Sequence, residues 1–277
     1  MAPWLIALIA FFATVTALFL LWLLLIAPRA RKKDIRPFLC PYAHRGLWNA
    51  QRPENSMAAF RAAAEAGFGI ELDVQLSADG EVMVFHDYTL DRVCGRAGKL
   101  SDLSAAELTH IPLNGVENEC IPTFKQVLEA VDGRVPLLVE LKGESGNTAL
   151  VPRVLEVLRD YKGAWCMESF NPLLLRAVKK QAPQAVIGLL STDLIKEKRK
   201  GSGVLNFALS ALLLTFLCRP AFHAWDGKYP KRLALRVGLK WFGAASVVYT
   251  VRDPQAYEQY LARGVYPIFE GFVPEKR

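Results

Sequence analysis

The chain of 277 residues is 52% hydrophobic and carries a formal net charge of +7. This length accommodates one large catalytic domain plus an accessory segment, and the positive charge indicates an anionic partner. The basic residues neither form a base-reading helix nor alternate with aromatic residues, so the sequence does not favour nucleic acid. They are concentrated at residues 29–33 and 196–200, each beside an apolar run, which fits an anionic membrane surface or solvated linker charges.

The cysteines exclude two further kinds of site. All five are widely separated and none belongs to a CxxC pair: Cys40, Cys94, Cys120, Cys166 and Cys218. Scattered single cysteines are typical of small buried residues in a reducing compartment. The sequence therefore predicts neither a zinc site nor a disulfide framework.

The first predicted element is a transmembrane helix. Residues 2–28 contain no charged side chain and exceed the roughly 20 apolar residues that cross a bilayer. The run is too long for the apolar part of a secretory signal, follows no basic segment and ends in no Ala-x-Ala cleavage site. We therefore predict a retained anchor, in preference to a cleaved signal or a buried core helix.

The charges near this anchor predict its orientation. Basic residues follow the apolar run and none precedes it, so the positive-inside rule places the rest of the chain on the cytoplasmic side of the membrane. We expect residues 1–28 to anchor a single-pass protein, residues 29–37 to form a basic juxtamembrane linker and residues 38–277 to form the catalytic domain.

After the linker, apolar runs typical of strands alternate with helical patterns. Strands are predicted at residues 38–44, 69–74, 82–86, 136–141, 164–170, 185–190, 221–225, 246–251 and 265–269. Helices are predicted at residues 56–66, 123–131, 148–161, 172–181 and 254–263, several of them after capping residues.

This alternation predicts an α/β fold with a parallel sheet, and the number of units indicates a TIM-type (β/α)8 barrel. The nine strand candidates are one too many for such a barrel. Asp79 and Gly80 lie between two of them and form a hairpin signal. We therefore expect one of those two runs to be a β-hairpin-like addition to the barrel.

Two segments depart from the alternation. Residues 88–122 are predicted to form a long irregular insertion with one short helix at residues 104–109, and such loops commonly cover a site. Residues 201–222 contain an apolar run that is too short to span a bilayer comfortably. This run fits either an interfacial helix beside the barrel mouth or an unusually apolar outer helix of the barrel.

Carboxylates on two predicted strands form a candidate metal site. Residues two apart on a strand point the same way, so Glu71 and Asp73 project together, as do Glu140 and Lys142. At the C-terminal ends of barrel strands, these side chains would converge on one face. The three carboxylates would then form a hard oxygen site for a divalent metal ion, Ca²⁺ or Mg²⁺.

Cationic and titratable side chains complete this candidate site. Arg45 and Lys142 have the charge needed to bind a phosphate that bridges to the metal. His44 and His86, two of only 4 histidines, are suited to exchange protons with a nucleophile and a leaving alkoxide. Taken singly, the carboxylates also fit the solvated face of a strand, Lys142 a surface lysine and His86 a turn.

Short motifs in a fixed order resemble the glycerophosphodiester phosphodiesterase family. They are AHRG at residues 43–46, PENS at 53–56, ELD at 71–73, HD at 86–87 and ELK at 140–142. The resemblance continues through residues 168–171, 218–222 and 248–251, and so covers roughly residues 40–270.

The resemblance implies a TIM-type barrel with a divalent-metal site. It implies that the metal ligands are Glu71, Asp73 and Glu140. It implies that the acid/base pair is His44 and His86, and that the phosphate is bound by Arg45 and Lys142. It also implies that Glu54 supports the site, near the metal or orienting His44 or Arg45, and that Glu168 lines it.

The chain departs from the family pattern at two places. Tyr249 stands where the family often has tryptophan. Residues 264–267 and 269–272 replace the Gly-Val-Asp-Gly and Thr-Asp-x-Pro patterns with which the family often ends. Both departures concern the shape of the alcohol pocket and leave the implied metal and histidine sets unchanged.

Together these features predict metal-dependent hydrolysis of glycerophosphodiesters to an alcohol and a glycerol phosphate. The anchor and the second apolar run favour lipid-derived or lysophospholipid substrates, with membrane lipids as partners and no nucleic acid. Two alternatives remain: a phospholipase D-like activity on intact phospholipids, and a membrane-bound lipid-binding or scaffold protein with an inactive barrel. The full set of candidate site residues argues against the scaffold.

Overall fold

The computed structural model describes residues 2–29, 35–143 and 146–275. Most of the predicted basic linker therefore lies outside the described residues. Within them there are eleven strands, β1 (Tyr42–His44), β2 (Gly69–Leu76), β3 (Val82–Val84), β4 (Pro112–Leu113), β5 (Val116–Cys120), β6 (Leu137–Leu141), β7 (Trp165–Ser169), β8 (Ile187–Ser191), β9 (Phe222–Asp226), β10 (Ala245–Val251) and β11 (Tyr266–Phe269).

The same residues form ten α-helices, α1 (Pro3–Ile26), α2 (Met57–Ala66), α3 (Asp91–Cys94), α4 (Ala105–Leu108), α5 (Phe124–Val131), α6 (Leu150–Val157), α7 (Pro172–Gln181), α8 (Gly203–Ser210), α9 (Leu233–Lys240) and α10 (Pro254–Ala262). Short 3₁₀ turns lie at Arg36–Phe38, Leu100–Asp102 and Thr215–Leu217.

Eight of the strands close into a parallel barrel. Their order is β1-β11-β10-β9-β8-β7-β6-β2, and β1 also pairs with β2 to complete the ring. Strand β3 lies outside the ring and pairs antiparallel with β2, with Val84 opposite Val74. The predicted TIM-type barrel and its β-hairpin-like addition are therefore confirmed.

Several helices begin where capping residues predict. Ser56 accepts a hydrogen bond from the backbone N–H of Ala59 at the start of α2. Thr123 forms a reciprocal capping box with Gln126 in α5, and Asn171 caps α7. Each cap satisfies backbone donors that have no partner within the helix, which sets the point at which the helix starts.

The short helix predicted at residues 104–109 is present as α4, but residues 88–122 also contain regular elements that were not predicted. This insertion contains α3, a 3₁₀ turn, α4 and the β4–β5 hairpin, packed around a separate small core that includes Leu90, Leu100 and Leu108. Its elements are only two to five residues long, so no hydrophobic period develops over them. The strand predicted at residues 38–44 is shorter than expected, since a 3₁₀ turn at Arg36–Phe38 precedes it and β1 begins at Tyr42. Helix α9 was not predicted.

Large side chains fill the base of the barrel, at the N-terminal ends of its strands. Tyr42, Leu138, Cys166 and Phe222 belong to one buried cluster there. Gly188 makes this packing possible, since a Cβ atom at that position would lie 2.0 Å from the Phe222 ring. With the base closed in this way, the C-terminal ends of the strands form the end of the barrel at which sites of this fold occur.

Helix α1 lies mostly outside the barrel. Among the described residues it is the one helix long and apolar enough to cross a membrane, and a signal sequence near the N-terminus meets the same criteria. Near its C-terminal end, Ile26 is buried, and Trp22 and Leu23 pack against the barrel core. The Arg29 backbone N–H donates to the Pro220 carbonyl at 2.9 Å, which fixes the end of α1 beside the start of β9.

The apolar segment at residues 201–222 connects β8 to β9. Its apolar run is divided between α8 and the 3₁₀ turn at Thr215–Leu217, and this turn packs against α1. The segment therefore stands where an outer helix of the barrel belongs, and it adjoins the candidate membrane helix.

His223 on β9 is buried, and neither of its ring nitrogens has a hydrogen-bond partner among the described residues. Helix α9 packs closely over it, since a Cβ atom at Gly238 would lie 3.3 Å from His223 Nε2. Burial, with a smaller contribution from the charge of Arg232, lowers the pKa of His223 to about 4. The imidazole is therefore neutral in the folded protein at pH 7.

We expect this histidine to make the fold sensitive to acid. An unfolded histidine takes up a proton at about pH 6.5, whereas folded His223 does so only at about pH 4. The unfolded state therefore binds more protons between these values, and the free energy of unfolding falls by about 3 kcal/mol as the pH drops through them. Measured against His223→Leu, which has no imidazole at this position, the free energy of unfolding of the wild type should therefore fall by this amount as the pH is lowered from about 6.5 to about 4.

The exposed histidine His110 gives the matched control. The corresponding difference for His110→Leu should stay constant from neutral pH to about pH 4, because this side chain lies in solvent and not in the core. A difference for His223→Leu that does not change with pH would rule out a buried neutral imidazole.

Candidate active site

The candidate site residues converge at the C-terminal end of the barrel. Neighbouring strands hold them in register, with His44 opposite Glu71, Asp73 opposite Glu140, and Glu140 opposite Glu168. Because alternate residues of a strand share a face, Glu71 and Asp73 both project into the barrel, where they are only 2% and 1% exposed. The alternative of a solvated strand face is therefore wrong.

Glu71, Asp73 and Glu140 form a group that could hold a metal ion. One carboxylate oxygen of each lies within 4.8 Å of the others. Burial, together with the charges of Asp73 and Glu140, raises the pKa of Glu71 well above its usual range, and burial raises the pKa of Glu140 to about 7. A divalent cation fits this group, because it would compensate the crowded negative charge and because Ca²⁺ and Mg²⁺ prefer oxygen ligands.

Two cations flank the carboxylate group. Lys142 Nζ donates to Glu140 Oε1 at 2.7 Å and lies 2.9 Å from Asp73 Oδ1. Arg45 Nε lies 3.4 Å from Asp73 Oδ2, which also accepts a hydrogen bond from Asn55. Burial alone would raise the pKa of Asp73, but Lys142 and Arg45 lower it, so this carboxylate is ionised. Fixed cations beside carboxylates suit a phosphate that binds next to a metal ion.

The loop between β1 and α2 has a conformation that directs Arg45 towards the carboxylates. Arg45 has a φ of 56° and Gly46 a φ of 83°, and the Arg45 backbone N–H donates to Glu71 Oε2 at 3.0 Å. A Cβ atom at Gly46 would lie 2.8 Å from the backbone of Ala59 in α2. Glycine is therefore required at position 46, because no side chain fits between the loop and α2.

His44 is held by a carboxylate that the sequence did not identify. Its Nδ1 is hydrogen-bonded to Glu270 Oε2, directly after β11, and Glu270 Oε1 pairs with Arg252 Nη2 at 2.6 Å. Burial alone would raise the pKa of Glu270, but His44 and Arg252 lower it to about 2. Burial lowers the pKa of His44 itself. A neutral imidazole held through Nδ1–H presents Nε2, which lies 3.9 Å from Glu71 Oε2, as a proton acceptor.

His86 has a similar support, which comes partly from the insertion. Its Nδ1 lies 2.5 Å from Asp87 Oδ1, and Arg92 Nε donates to Asp87 Oδ2 at 2.6 Å. Arg92 also forms a bidentate pair with Glu54, at 2.7 and 2.8 Å, and Glu54 accepts a hydrogen bond from Arg45 Nη1 at 2.7 Å. Burial lowers the pKa of His86. Glu54 therefore links Arg45 to the residues that hold His86.

Glu168 and an aromatic pair line another part of the mouth, at the ends of β7 and β10. Glu168 is buried, and its Oε2 has no hydrogen-bond partner among the described residues. Burial and the charge of Glu140 raise the pKa of Glu168 well above its usual range. Phe170 meets Tyr249 edge-on at 6.0 Å between ring centroids. The structure thus brings together every candidate residue that the sequence named, and adds Glu270, Asp87 and Arg92.

Comparisons with known proteins agree with this architecture. The model of the glycerophosphoryl diester phosphodiesterase family matches residues 44–273. A glycerophosphodiester phosphodiesterase of Caldanaerobacter subterraneus subsp. tengcongensis is 38% identical over 160 residues, which are 53% of this chain and 65% of that protein.

Two solved structures share the fold. The glycerophosphodiester phosphodiesterase of Thermotoga maritima is 30% identical with a TM-score of 0.63, over 83% of this chain and 94% of that one. An Oleispira antarctica phosphodiesterase, solved with its product sn-glycerol-3-phosphate, is 23% identical with a TM-score of 0.69, over 83% of this chain and 92% of that one. Since the family match extends over nearly the whole barrel, the chain belongs to the glycerophosphoryl diester phosphodiesterase family, whose members are phosphoric diester hydrolases.

Proposed function

We propose that the protein is a metal-dependent hydrolase that cleaves glycerophosphodiesters into an alcohol and a glycerol phosphate. The main support is the buried group of Glu71, Asp73 and Glu140. His44 adjoins this group at Glu71, and the phosphate-binding candidates Arg45 and Lys142 adjoin it at Asp73. The Oleispira antarctica relative binds sn-glycerol-3-phosphate as its product, and we propose a product of the same class here.

In this proposal Glu71, Asp73 and Glu140 bind Ca²⁺ or Mg²⁺. The bound cation would supply Lewis acidity towards a phosphoryl oxygen. Arg45 and Lys142 bind the phosphate oxygens and stabilise the charge that develops on them in the transition state. Both side chains are held in place before substrate arrives, since each already contacts Asp73.

His44 and His86 transfer the protons of the reaction. Hydrolysis takes one proton from the attacking oxygen and gives one to the leaving alkoxide, so it needs one acceptor and one donor. The carboxylates on Nδ1 of both rings, Glu270 and Asp87, fix the ring orientation and leave Nε2 for these transfers. If water attacks, these two transfers release the alcohol and glycerol phosphate in one step. If the neighbouring glycerol hydroxyl attacks, they release the alcohol and a cyclic glycerol phosphate, and water must then open the ring with a second pair of transfers by the same histidines.

We expect Glu270→Gln to lower kcat by about 10- to 100-fold with little change in KM, because residues that orient a functional histidine contribute on this scale. Glu270 also favours the protonated form of His44. Its loss should therefore move the limb of the pH–rate profile that His44 controls to lower pH. Steady-state kinetics across pH would measure both effects.

The exposed Glu275 provides a matched control, since Glu275→Gln changes the same functional group a few residues away. It should leave both kcat and the pH profile unchanged. A Glu270→Gln variant with wild-type kcat and an unshifted profile would contradict the proposed positioning of His44.

We further propose that the substrates are lipid-derived glycerophosphodiesters or lysophospholipids, hydrolysed at the membrane. Soluble headgroup diesters need no anchor, whereas α1 has the length and composition of a membrane span and the apolar α8 segment adjoins it. The basic residues that follow α1 support a single-pass topology with residues 38–277 on the cytoplasmic side.

Rates on glycerophosphoethanolamine and on lysophosphatidylethanolamine, compared in detergent with the full-length protein, test this choice. We expect the lysophospholipid to be hydrolysed at least as fast as the soluble diester. A strong preference for the soluble diester would remove the lipid proposal and leave the hydrolase proposal standing. Turnover of intact phospholipids alone would favour the phospholipase D-like alternative, and binding without turnover the inactive scaffold.

A further inference from the structure

We propose that the barrel lies with one side on the membrane, through a surface that begins where α1 leaves the bilayer. This docking surface consists of exposed apolar side chains of α8, of the adjoining 3₁₀ turn and of the residue after α9: Val204, Leu205, Phe207, Phe216 and Trp241. The occupant is the lipid bilayer. The inference rests on the proposed anchoring by α1 and adds the orientation of the catalytic domain to it.

Helix α8 has the reverse of the polarity that an outer barrel helix needs in water. Its buried residues are the polar Asn206 and Ser210, whereas Val204 is 81% exposed and Phe207 59% exposed. The polar pair is satisfied internally: Asn206 Nδ2 donates to the Arg199 carbonyl, and Ser210 Oγ donates to the Asn206 carbonyl. A helix that turns its polar side inward and its apolar side outward fits an apolar environment outside.

The contact between α1 and α9 sets the depth of this surface. The Trp241 ring meets Phe19 of α1 edge-on, with 6.3 Å between ring centroids, and Trp241 is otherwise 65% exposed. Phe19 lies about 10 Å along the helix axis from Ile26, the last residue of α1. If a hydrocarbon layer of about 30 Å begins at Pro3, Phe19 lies about 24 Å into it, so the Trp241 ring lies within roughly 6 Å of the far boundary. Tryptophan is enriched close to this level in membrane proteins.

The position of α8 extends the surface towards the mouth of the barrel. Strand β8 ends at the mouth, and the chain then runs through α8 to the 3₁₀ turn at Thr215–Leu217 beside the start of β9. The end of α8 lies at the mouth, where Ser210 Oγ accepts a hydrogen bond from the Leu194 backbone N–H shortly after β8. Exposed apolar side chains occur both on α8, at Val204, and near the base, at Phe216. The surface therefore runs along the side of the barrel, which places one edge of the mouth near the lipid.

Exposed cations border the docking surface. Between β8 and α8 they are Lys196, Lys198, Arg199 and Lys200. The segment also holds two acidic residues, Glu197 and Asp193, and Asp193 Oδ2 lies 3.6 Å from Lys196 Nζ. Such a cluster attracts the anionic headgroups of a cytoplasmic leaflet. It disfavours a second copy of the chain as the occupant, because a self-association through this surface would bring like charges together.

Tryptophan quenching by lipids with brominated acyl chains tests the proposal. The full-length protein is reconstituted into phosphatidylcholine and phosphatidylglycerol vesicles with and without the bromine label. We expect Trp241→Phe to remove a quenched component of the emission, and Phe207→Trp to add a component that the label quenches. Lys125→Trp is the matched control, because Lys125 is exposed on α5, which packs on α2 at the β1–β2 side of the barrel.

The control should add emission that the brominated lipid leaves unchanged, and both Trp-adding variants should retain turnover of a soluble glycerophosphodiester. Unquenched emission from positions 207 and 241, alongside quenching that is lost in Trp22→Phe, would overturn the docking surface and preserve the anchor. Absence of quenching at Trp4 and Trp22 as well would overturn the anchoring itself. Unquenched emission from position 207 in a protein that is dimeric in dilute detergent would assign the surface to a second copy and also overturn the proposal.

Discussion

Replacement of either His44 or His86 by alanine should lower kcat by about 100- to 10,000-fold, the range that a positioned general acid or base contributes. Each imidazole is oriented through Nδ1 by its own carboxylate, Glu270 for His44 and Asp87 for His86. Burial lowers the pKa of both imidazoles, which favours the neutral form of each ring. The loss should be similar in size for both variants, since the reaction needs one acceptor and one donor.

Two measurements separate this loss from unfolding. The binding of divalent metal, measured by calorimetry, should be nearly unchanged in both variants, because neither histidine belongs to the carboxylate group. The control is His110→Ala, which removes an exposed histidine that is not one of the candidate site residues, and it should keep full activity. Near-wild-type turnover by either His44→Ala or His86→Ala would contradict the assignment of that residue.

Glu71→Gln should stabilise the protein in the absence of metal while it removes activity. Glu71 is crowded by Asp73 and Glu140 in a buried position, which raises its pKa well above the usual range. A neutral amide of the same shape removes the electrostatic repulsion between Glu71 and the neighbouring carboxylates. We therefore expect a gain of about 1–3 kcal/mol in the free energy of unfolding. The same change removes a proposed metal ligand, so turnover should fall by more than about 100-fold, beyond the loss typical of residues that only support ligands.

Thermal unfolding with and without metal tests both halves of this prediction. Ca²⁺ or Mg²⁺ should raise the melting temperature of the wild type, because a ligand that binds only the folded state stabilises it. The same addition should leave Glu71→Gln almost unchanged. Glu129→Gln, on the exposed face of α5, should behave as the wild type in both conditions. A metal-induced shift of wild-type size in Glu71→Gln would show that the ion binds elsewhere.

The barrel could be predicted because its strands are buried apolar runs separated by capped helices. Each of the nine predicted runs contains a strand, and the Asp79-Gly80 turn correctly marked the addition. The insertion could not be predicted in the same way, since β5 is a half-exposed, charged strand that shows no alternation. Helix α9 was missed because no side chain caps its start and basic residues precede it.

The carboxylates, the histidines and the flanking cations could be predicted because strand alternation and motif order both pointed to them. Glu270 could not, because it lies 226 residues from His44 in sequence and stands in a segment that departs from the family pattern. Barrel closure is the signal that would have found it: β11 pairs with β1, with Phe269 opposite Ala43. The residue after β11 must therefore lie beside His44, the last residue of β1.

Arg92 was missed for a related reason. It belongs to the insertion, whose short elements gave no reason to place any particular residue over the mouth. Its side chain nevertheless joins Asp87 to Glu54, so the insertion helps to hold both His86 and Arg45. Contacts of this kind depend on the closed tertiary structure, and no local period or motif spacing encodes them.

Metal-dependent release of glycerol phosphate from a glycerophosphodiester tests the proposed function most directly. The full-length protein in detergent is assayed with glycerophosphoethanolamine and lysophosphatidylethanolamine, first as purified, then with EDTA, then with Ca²⁺ or Mg²⁺ added back. We predict that EDTA abolishes release of the alcohol and that one of the two ions restores it. Hydrolysis that continues undiminished in EDTA, or no hydrolysis of either diester with either ion present, would contradict the account.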